Sequence, residues 1–170
     1  IFHVEERAIN GGSFITFISH KKAKSIQESV FRWREYEKAL KLDLVKIYND
    51  FAKRVNRNKK ELYNLILNLV GKNKTIYVYG ASTRGNTLLQ FYQLNNQLIK
   101  AAVERNPEKW GKNISSLSIP IISEEQARRE KPDYMLVLPW FFKEEFLQRE
   151  KTYLKSGGHF IFPLPKVEII

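Results

Sequence analysis

The chain has 170 residues, 43% hydrophobic and 28% charged, which allows one globular core with an appendage. It contains no cysteine, so a disulfide framework, a thiolate metal site and a thiol nucleophile are excluded, and a reducing, cytoplasmic compartment suits it. The formal net charge of +11 admits a polyanionic partner. Yet the basic runs 20-HKKAK-24, 32-RWR-34 and 53-KRVNRNKK-60 have acids nearby (Glu35, Glu37, Asp43, Asp50, Glu61), the pattern of solvated helix faces. No apolar run approaches the roughly 20 residues that span a bilayer, so no membrane is expected. The start, IFHVEERAINGG, has neither the basic nor the apolar region of a signal peptide. A chain that opens on Ile1, with Met135 its one methionine, reads as a piece of a longer protein.

Residues 1–20 read as a β-hairpin, with Asn10-Gly11-Gly12 between the strand-like runs FHVEERAI and SFITFIS. A lone hairpin is marginal in water, so these strands belong to a sheet that continues upstream or meet another partner. Residues 21–72 read as a helical arm. Ser25-Ile26-Gln27-Glu28 fits a capping box. Asp43 is placed to cap a second helix running to about Val70, with Gly71 as its stop. Leu44, Phe51 and Leu65 share one heptad position, Tyr48, Val55, Leu62 and Leu69 another, with Asn58 as the polar interruption. An antiparallel helical hairpin or a homodimeric seam satisfies this pattern.

Residues 73–170 alternate strand and helix. The expected strands are Thr75–Tyr79, Lys100–Glu104, Ile119–Ile122, Tyr134–Leu138 and Gly158–Phe162; the expected helices are Thr83–Leu94, one capped by Ser123, and Phe142–Leu154. This order predicts an α/β domain with a mostly parallel sheet and helices on both faces. Ligands of such sheets lie beyond the carboxyl ends of the strands, here Gly80–Thr87, Glu104–Pro107 and Pro139-Trp140.

The first of these loops resolves into specific chemistry. Gly80-x4-Gly85-Asn86-Thr87 has the outline of a phosphate loop, but Asn86 stands where the phosphate-reaching lysine belongs. Ser82 stands where a dinucleotide fingerprint needs its middle glycine. Triphosphate hydrolysis is therefore disfavoured and an NAD-type site weakened. The backbone of Gly80 and Ala81, the Ser82, Thr83 and Thr87 hydroxyls and the Arg84 guanidinium suit a phosphate or diphosphate held without a metal. Glu104 lies where a Rossmann acid holds a ribose diol. Arg105 and Asn106 follow it, and Trp140 after Pro139 can stack on a base or sugar or fill the core. His3, His20 and His159 are scattered without metal-ligand spacing, and no nucleophile, base and orienter converge. Neither catalytic nor metal residues are expected in this chain.

The run 79-YGASTRGNTLLQFY-92 resembles the YGA-x-x-KGNTLLN signature of the C-terminal domain of SAM-dependent sugar C-methyltransferases, three-domain enzymes acting on nucleotide-linked deoxysugars. Further similar segments follow in order: 103-VERNPEKWGK-112, 119-IPII-122, 132-PDYMLVLPWFFKEE-145 and 157-GGHFIFPLPKVEII-170, with 4-VEERAINGGSF-14 upstream. The resemblance implies a Rossmann-like fold for residues 73–170 and makes residues 1–20 the last strands of an upstream SAM-binding domain. It implies that SAM, zinc and the catalytic residues belong to missing upstream domains, so that this chain is inactive alone. It further implies a nucleotide-diphosphate sugar as ligand, in a cleft that Gly80–Thr87 lines or supports. Arg84 replaces the family's usual lysine, keeping the charge and changing the geometry. Phe141 replaces a frequent asparagine, Ser82-Thr83 replaces smaller, more apolar residues, and Ser115-Ser116-Leu117 occupies a loop that commonly carries Gly-Thr. A scaffold or oligomerisation module is the alternative reading. A nucleic-acid partner is disfavoured, because no recognition motif accompanies the charge.

Overall fold

A computed structural model describes all of residues 1–170. The chain forms two compact units, Ile1–Arg54 and Val55–Ile170.

In the first unit, β1 (His3–Arg7) and β2 (Ser13–Phe17) pair antiparallel, with Glu5 opposite Ile15. Asn10, Gly11 and Gly12 take φ values of 55°, 84° and 112° in the loop 8–12 that joins the strands through a short 3-10 turn, Ile9–Gly11. Helix α1 (Glu28–Ala39) differs from expectation at its start. Ser25 does not cap it; Gln27 is the N-cap and supplies no side-chain bond. The reason is the hairpin. The Gln27 N–H donates to the Phe2 carbonyl at 2.8 Å, which holds the entry extended. Ser29 then turns inward, where its Oγ accepts from the Val4 N–H at 3.1 Å and lies 2.8 Å from His3 Nδ1. Val4 and Val30 are buried, and Trp33 meets the Phe14 ring at 5.3 Å. The face that α1 buries is thus the one on the hairpin. The antiparallel seam expected between the two helices is not formed in this unit: Leu40, Leu44, Tyr48 and Phe51 are exposed.

Helix α2 (Val45–Gly71) runs on into the second unit. Asn58, Leu62, Ile66 and Leu69 are buried there at helical spacing. Gly71 is its last helical residue rather than its stop. The left-handed position falls on Asn73 (φ 59°), and the Lys74 N–H returns to the Leu69 carbonyl while that of Asn73 returns to Val70, a Schellman closure.

The remaining elements are β3 (Ile76–Tyr79), α3 (Thr83–Tyr92), β4 (Ala101–Glu104), β5 (Asn113–Ile114), β6 (Ile119–Ser123), α4 (Glu124–Glu130), β7 (Tyr134–Val137), α5 (Lys143–Arg149), α6 (Lys151–Lys155), β8 (His159–Phe162) and β9 (Glu168–Ile169). One seven-stranded sheet takes the order β5-β6-β4-β3-β7-β8-β9. The five central strands are parallel and only the two-residue edge strands β5 and β9 run antiparallel. The parallel strands therefore lie in Rossmann order, and the order in which strands are added reverses between β3 and β7, the switch point of such sheets.

Alternation along the strands builds two apolar layers. Ile76 and Val78 point to the layer holding Leu62, Ile66, Leu88 and Leu89 from α2 and α3. Tyr77 and Tyr79 point to the layer holding Ala127 and Phe146 from α4 and α5. The expected single helix over 142–154 is two, broken at Glu150 (φ −103°, ψ 27°). Its side chain, only 6% exposed, is drawn into the sheet-side network described below. At the amino ends of the central strands β3 and β7, Asp133 accepts from the Thr75 N–H and Oγ1 (both 2.8 Å) and from Lys74 Nζ (2.9 Å). The Thr75 N–H and the Lys74 ammonium hold its pKa down at about 2.

Candidate functional site

The carboxyl ends of β3, β4, β6 and β7 surround a cavity of about 340 Å³ at the switch point. Of the residues expected from sequence, Gly80, Glu104, Arg105 and Pro139 line it. Gly80 is required by the close approach of two strand exits. Its φ is 91°, and a Cβ there would lie 3.2 Å from Pro139 Cδ.

Ser82 caps α3. Its Oγ accepts from the Gly85 N–H at 3.1 Å, and its carbonyl accepts from the Asn86 N–H at 2.9 Å. Gly85 is buried against β7 rather than opened toward a ligand: a Cβ would stand 2.4 Å from Leu138 Cδ1 and 2.9 Å from Leu138 Cβ. It is the packing glycine that lets a helix lie close on its sheet. Thr83 and Arg84 occupy the exposed first turn, where the helix geometry leaves N–H groups without intrahelical acceptors. Thr87 Oγ1 bonds back to the Thr83 carbonyl at 3.3 Å. Asn86 Oδ1 is buried and has no hydrogen-bond partner. The Arg84 guanidinium lies over the Phe141 ring, 5.0 Å from its centroid. Trp140 is half-buried, packed against both core layers, with Phe141 edge-on at 5.7 Å.

Glu104 closes β4 with its side chain 16% exposed. Its Oε1 accepts from the Arg105 and Asn106 N–H groups (2.9 and 3.1 Å), and its Oε2 from the Ala81 N–H and Lys109 Nζ (3.2 and 3.1 Å). Burial opposes ionisation, but the Asn106 N–H, the Lys109 ammonium and the Arg105 N–H outweigh it and hold the pKa below the usual carboxylate range. Asn106 caps the short 3-10 turn Pro107–Lys109, its Oδ1 accepting from the Glu108 N–H at 3.0 Å.

The far wall was not named by sequence reasoning. Tyr79, Val103, Glu124, Phe142, Glu145, Phe146 and Arg149 complete the cavity. Arg149 Nη2 donates to Tyr79 Oη at 2.6 Å, and the phenol lies 2.9 Å from Glu124 Oε1 and 2.8 Å from Glu150 Oε1. Arg128 Nη2 reaches Glu150 at 3.2 Å and Glu124 at 3.4 Å. Burial, reinforced by the Glu150 and Glu124 carboxylates, raises the Tyr79 pKa and keeps it a neutral phenol. The sequence signal was weak: a tyrosine pointing down from β3 and a glutamate at a helix end read as core and surface. Larger spaces flank Trp33 in the first unit, one of about 700 Å³. They lie on the hairpin and share none of the strand-end geometry.

No group of three or more His, Asp or Glu side chains is placed to hold a metal. No helix is long and apolar enough to cross a membrane.

Known proteins align with this arrangement along nearly its whole length. The model of the C-methyltransferase C-terminal domain family matches residues 8–165. The chain is 32% identical over 171 aligned residues to the C-methyltransferase NovU of Streptomyces niveus, an alignment covering 100% of this chain and 41% of that protein. It therefore spans about two fifths of the length of the curated relative it matches. The chain belongs to the C-methyltransferase C-terminal domain family.

Proposed function

We propose that this chain positions a nucleotide-diphosphate sugar for a SAM-dependent C-methyltransferase whose catalytic domain lies upstream. The observation that carries the reading is the convergence of Gly80, Glu104, Arg105 and Pro139 on one cavity at the switch point of a Rossmann-ordered sheet. The first turn of α3 adjoins it. Ser82, Thr83 and Arg84 supply hydroxyl and guanidinium donors for the diphosphate, with the Thr87 hydroxyl turned back onto the Thr83 carbonyl. Arg105, Asn106, Pro139 and Trp140 lie on the nucleoside or sugar side. In the intact enzyme a methyl group would pass to a sugar carbon next to a ketone. SAM and zinc do not suit the residues present here: there is no cysteine or acid–histidine cluster, and the acid that would hold an adenosine ribose has both oxygens filled by the chain's own donors. On this reading both groups belong to upstream domains, and the chain alone is inactive and cytoplasmic.

Thermal unfolding with and without a deoxythymidine diphosphate sugar, SAM, NAD or a short DNA duplex tests the ligand class. A raised Tm with the sugar nucleotide alone is expected, since a ligand of the folded state stabilises it by linkage. Stabilisation by NAD would replace the reading with a dinucleotide site, and stabilisation by DNA with a nucleic-acid site. In the intact enzyme Arg84→Ala should raise KM for the sugar nucleotide far more than it lowers kcat; unchanged kinetics would remove Arg84 from the site.

The exposed stripe of Leu44, Tyr48 and Phe51 favours a second reading, a homodimer seam, alongside the first. A solution mass measured at two concentrations decides it: a strict monomer at both rejects the seam.

A further inference from the structure

We infer that Glu104 and Lys109 form a clasp that presets the Gly80–Ser82 backbone, so that Lys109 is a positioning residue for the nucleotide sugar and Glu104 acts through the loop rather than by receiving ligand hydroxyls. The inference rests on the reading of the switch-point cavity as the nucleotide-sugar site.

Both polar backbone groups of Ala81 are taken by the two ends of one ion pair. The Ala81 N–H donates to Glu104 Oε2 at 3.2 Å, Lys109 Nζ donates to the Ala81 carbonyl at 3.0 Å, and Lys109 Nζ and Glu104 Oε2 meet at 3.1 Å. The residue before is held as well, because the Gly80 N–H donates to the Val103 carbonyl at 2.8 Å. The residue after is the cap of α3. The turn from β3 into α3 is thereby tied to the exit of β4 through Gly80 and Ala81, and to the helix through Ser82.

The β4 exit is itself braced. Trp110 Nε1 donates to the Glu104 carbonyl at 2.7 Å, and the Lys109 N–H returns to the Asn106 carbonyl at 3.1 Å, so the lysine leaves from a closed turn rather than a free loop. A carboxylate offers about four lone-pair sites, and the four donors on Glu104 come from Ala81, Arg105, Asn106 and Lys109. A ligand diol would have to displace one of them. What the pair contributes instead is preorganisation: a loop fixed before ligand arrives loses less freedom on binding. Lys109 lies outside the loop motif and 28 residues beyond Ala81, so the motif alone does not reveal it.

The experiment compares Lys109→Met, Lys109→Arg, Glu104→Gln and Arg84→Ala in the intact methyltransferase. Lys109→Met should raise KM for the sugar nucleotide roughly tenfold with kcat changed less than about twofold, since misplacing a binding loop acts mainly on binding. Lys109→Arg, which can reach the same two acceptors, should recover most of that loss. Amide exchange supplies a readout independent of turnover: the Ala81 N–H should exchange faster in both Glu104→Gln and Lys109→Met, even if a variant is too unstable for kinetics. If Arg84→Ala raises KM while Lys109→Met does not, or if Ala81 stays protected in both clasp variants, the clasp is rejected and the site stands. A KM rise in Lys109→Met that Lys109→Arg leaves unrecovered also rejects it. If neither Arg84→Ala nor Lys109→Met moves KM, the site reading fails and the clasp's role in binding fails with it.

Discussion

Within α2, Val45, Tyr48 and Phe51 are exposed, whereas Leu62, Ile66 and Leu69 further along are buried against Ile76 and Val78 of the sheet. The apolar repeat is similar in both halves. Periodicity identifies which side of a helix is apolar; it does not say whether anything covers that side. The buried half also carries a polar member. Asn58 Nδ2 donates to the Pro163 carbonyl at 2.9 Å, and Asn58 Oδ1 accepts from the Tyr92 hydroxyl, so the interruption in the repeat is a satisfied buried group.

The sharpest way to break this comparison is to truncate both halves. Ile66→Ala, at a fully buried site, should cost about 2–5 kcal/mol of unfolding free energy in urea titrations. Phe51→Ala, 58% exposed, should stay within about 0.5 kcal/mol. A Phe51→Ala cost approaching that of Ile66→Ala, and growing with protein concentration, would mean that a second copy covers the stripe.

Two glycines sharpen the contrast at smaller scale. Gly85→Ala forces a Cβ into Leu138 and should destabilise by about 1–3 kcal/mol. Gly71→Ala, at the end of α2 with nothing within 4 Å of its Cβ, should be stabilising by about 0.5–1 kcal/mol. Opposite signs in the same denaturation assay are the expected result; equal losses would show that Gly85 is not set by its contact with Leu138.

The smallest effect is the pH dependence of the Asp133 tie. Its pKa falls from 3.8 to about 2 on folding, chiefly through the Thr75 N–H and the Lys74 ammonium. A carboxylate depressed in the folded state contributes stability that is full above the unfolded pKa and is lost as pH falls through the folded one. Tm should therefore drop between pH 4 and pH 2 in the natural chain, and less steeply in Asp133→Asn. Parallel curves would assign the acid sensitivity to other carboxylates.

Much of the fold was legible. Asn10-Gly11 marked the hairpin because only residues tolerant of positive φ fit that turn. The alternation after Lys74 marked a parallel α/β sheet because each crossover needs a helix. The missed features are those fixed by distant partners. Ser25 matched a capping motif, but the hairpin claimed the entry to α1 and called Ser29 inward. Glu150 broke a continuous helical pattern because its carboxylate joins Tyr79, Arg128 and Arg149. At the candidate site, the strand-end loops were readable from Gly80, Glu104 and Pro139, whereas Arg149 and Glu124 come from helices on one face of the sheet and carry no local motif.

By itself the sequence determined the N-terminal hairpin, the order of the parallel strands and the family to which the chain belongs. Each of these rests on local backbone preference or on ordered motifs, which are properties of neighbouring residues. Only the tertiary structure decided what each motif residue does. Gly85 became a packing contact with Leu138, Glu104 a carboxylate filled by four donors, and Lys109 the partner that reaches across to Ala81. Those roles depend on atoms brought within about 3 Å by the parallel pairing of β3 with β4 and β7, and sequence separation carries no record of such distances.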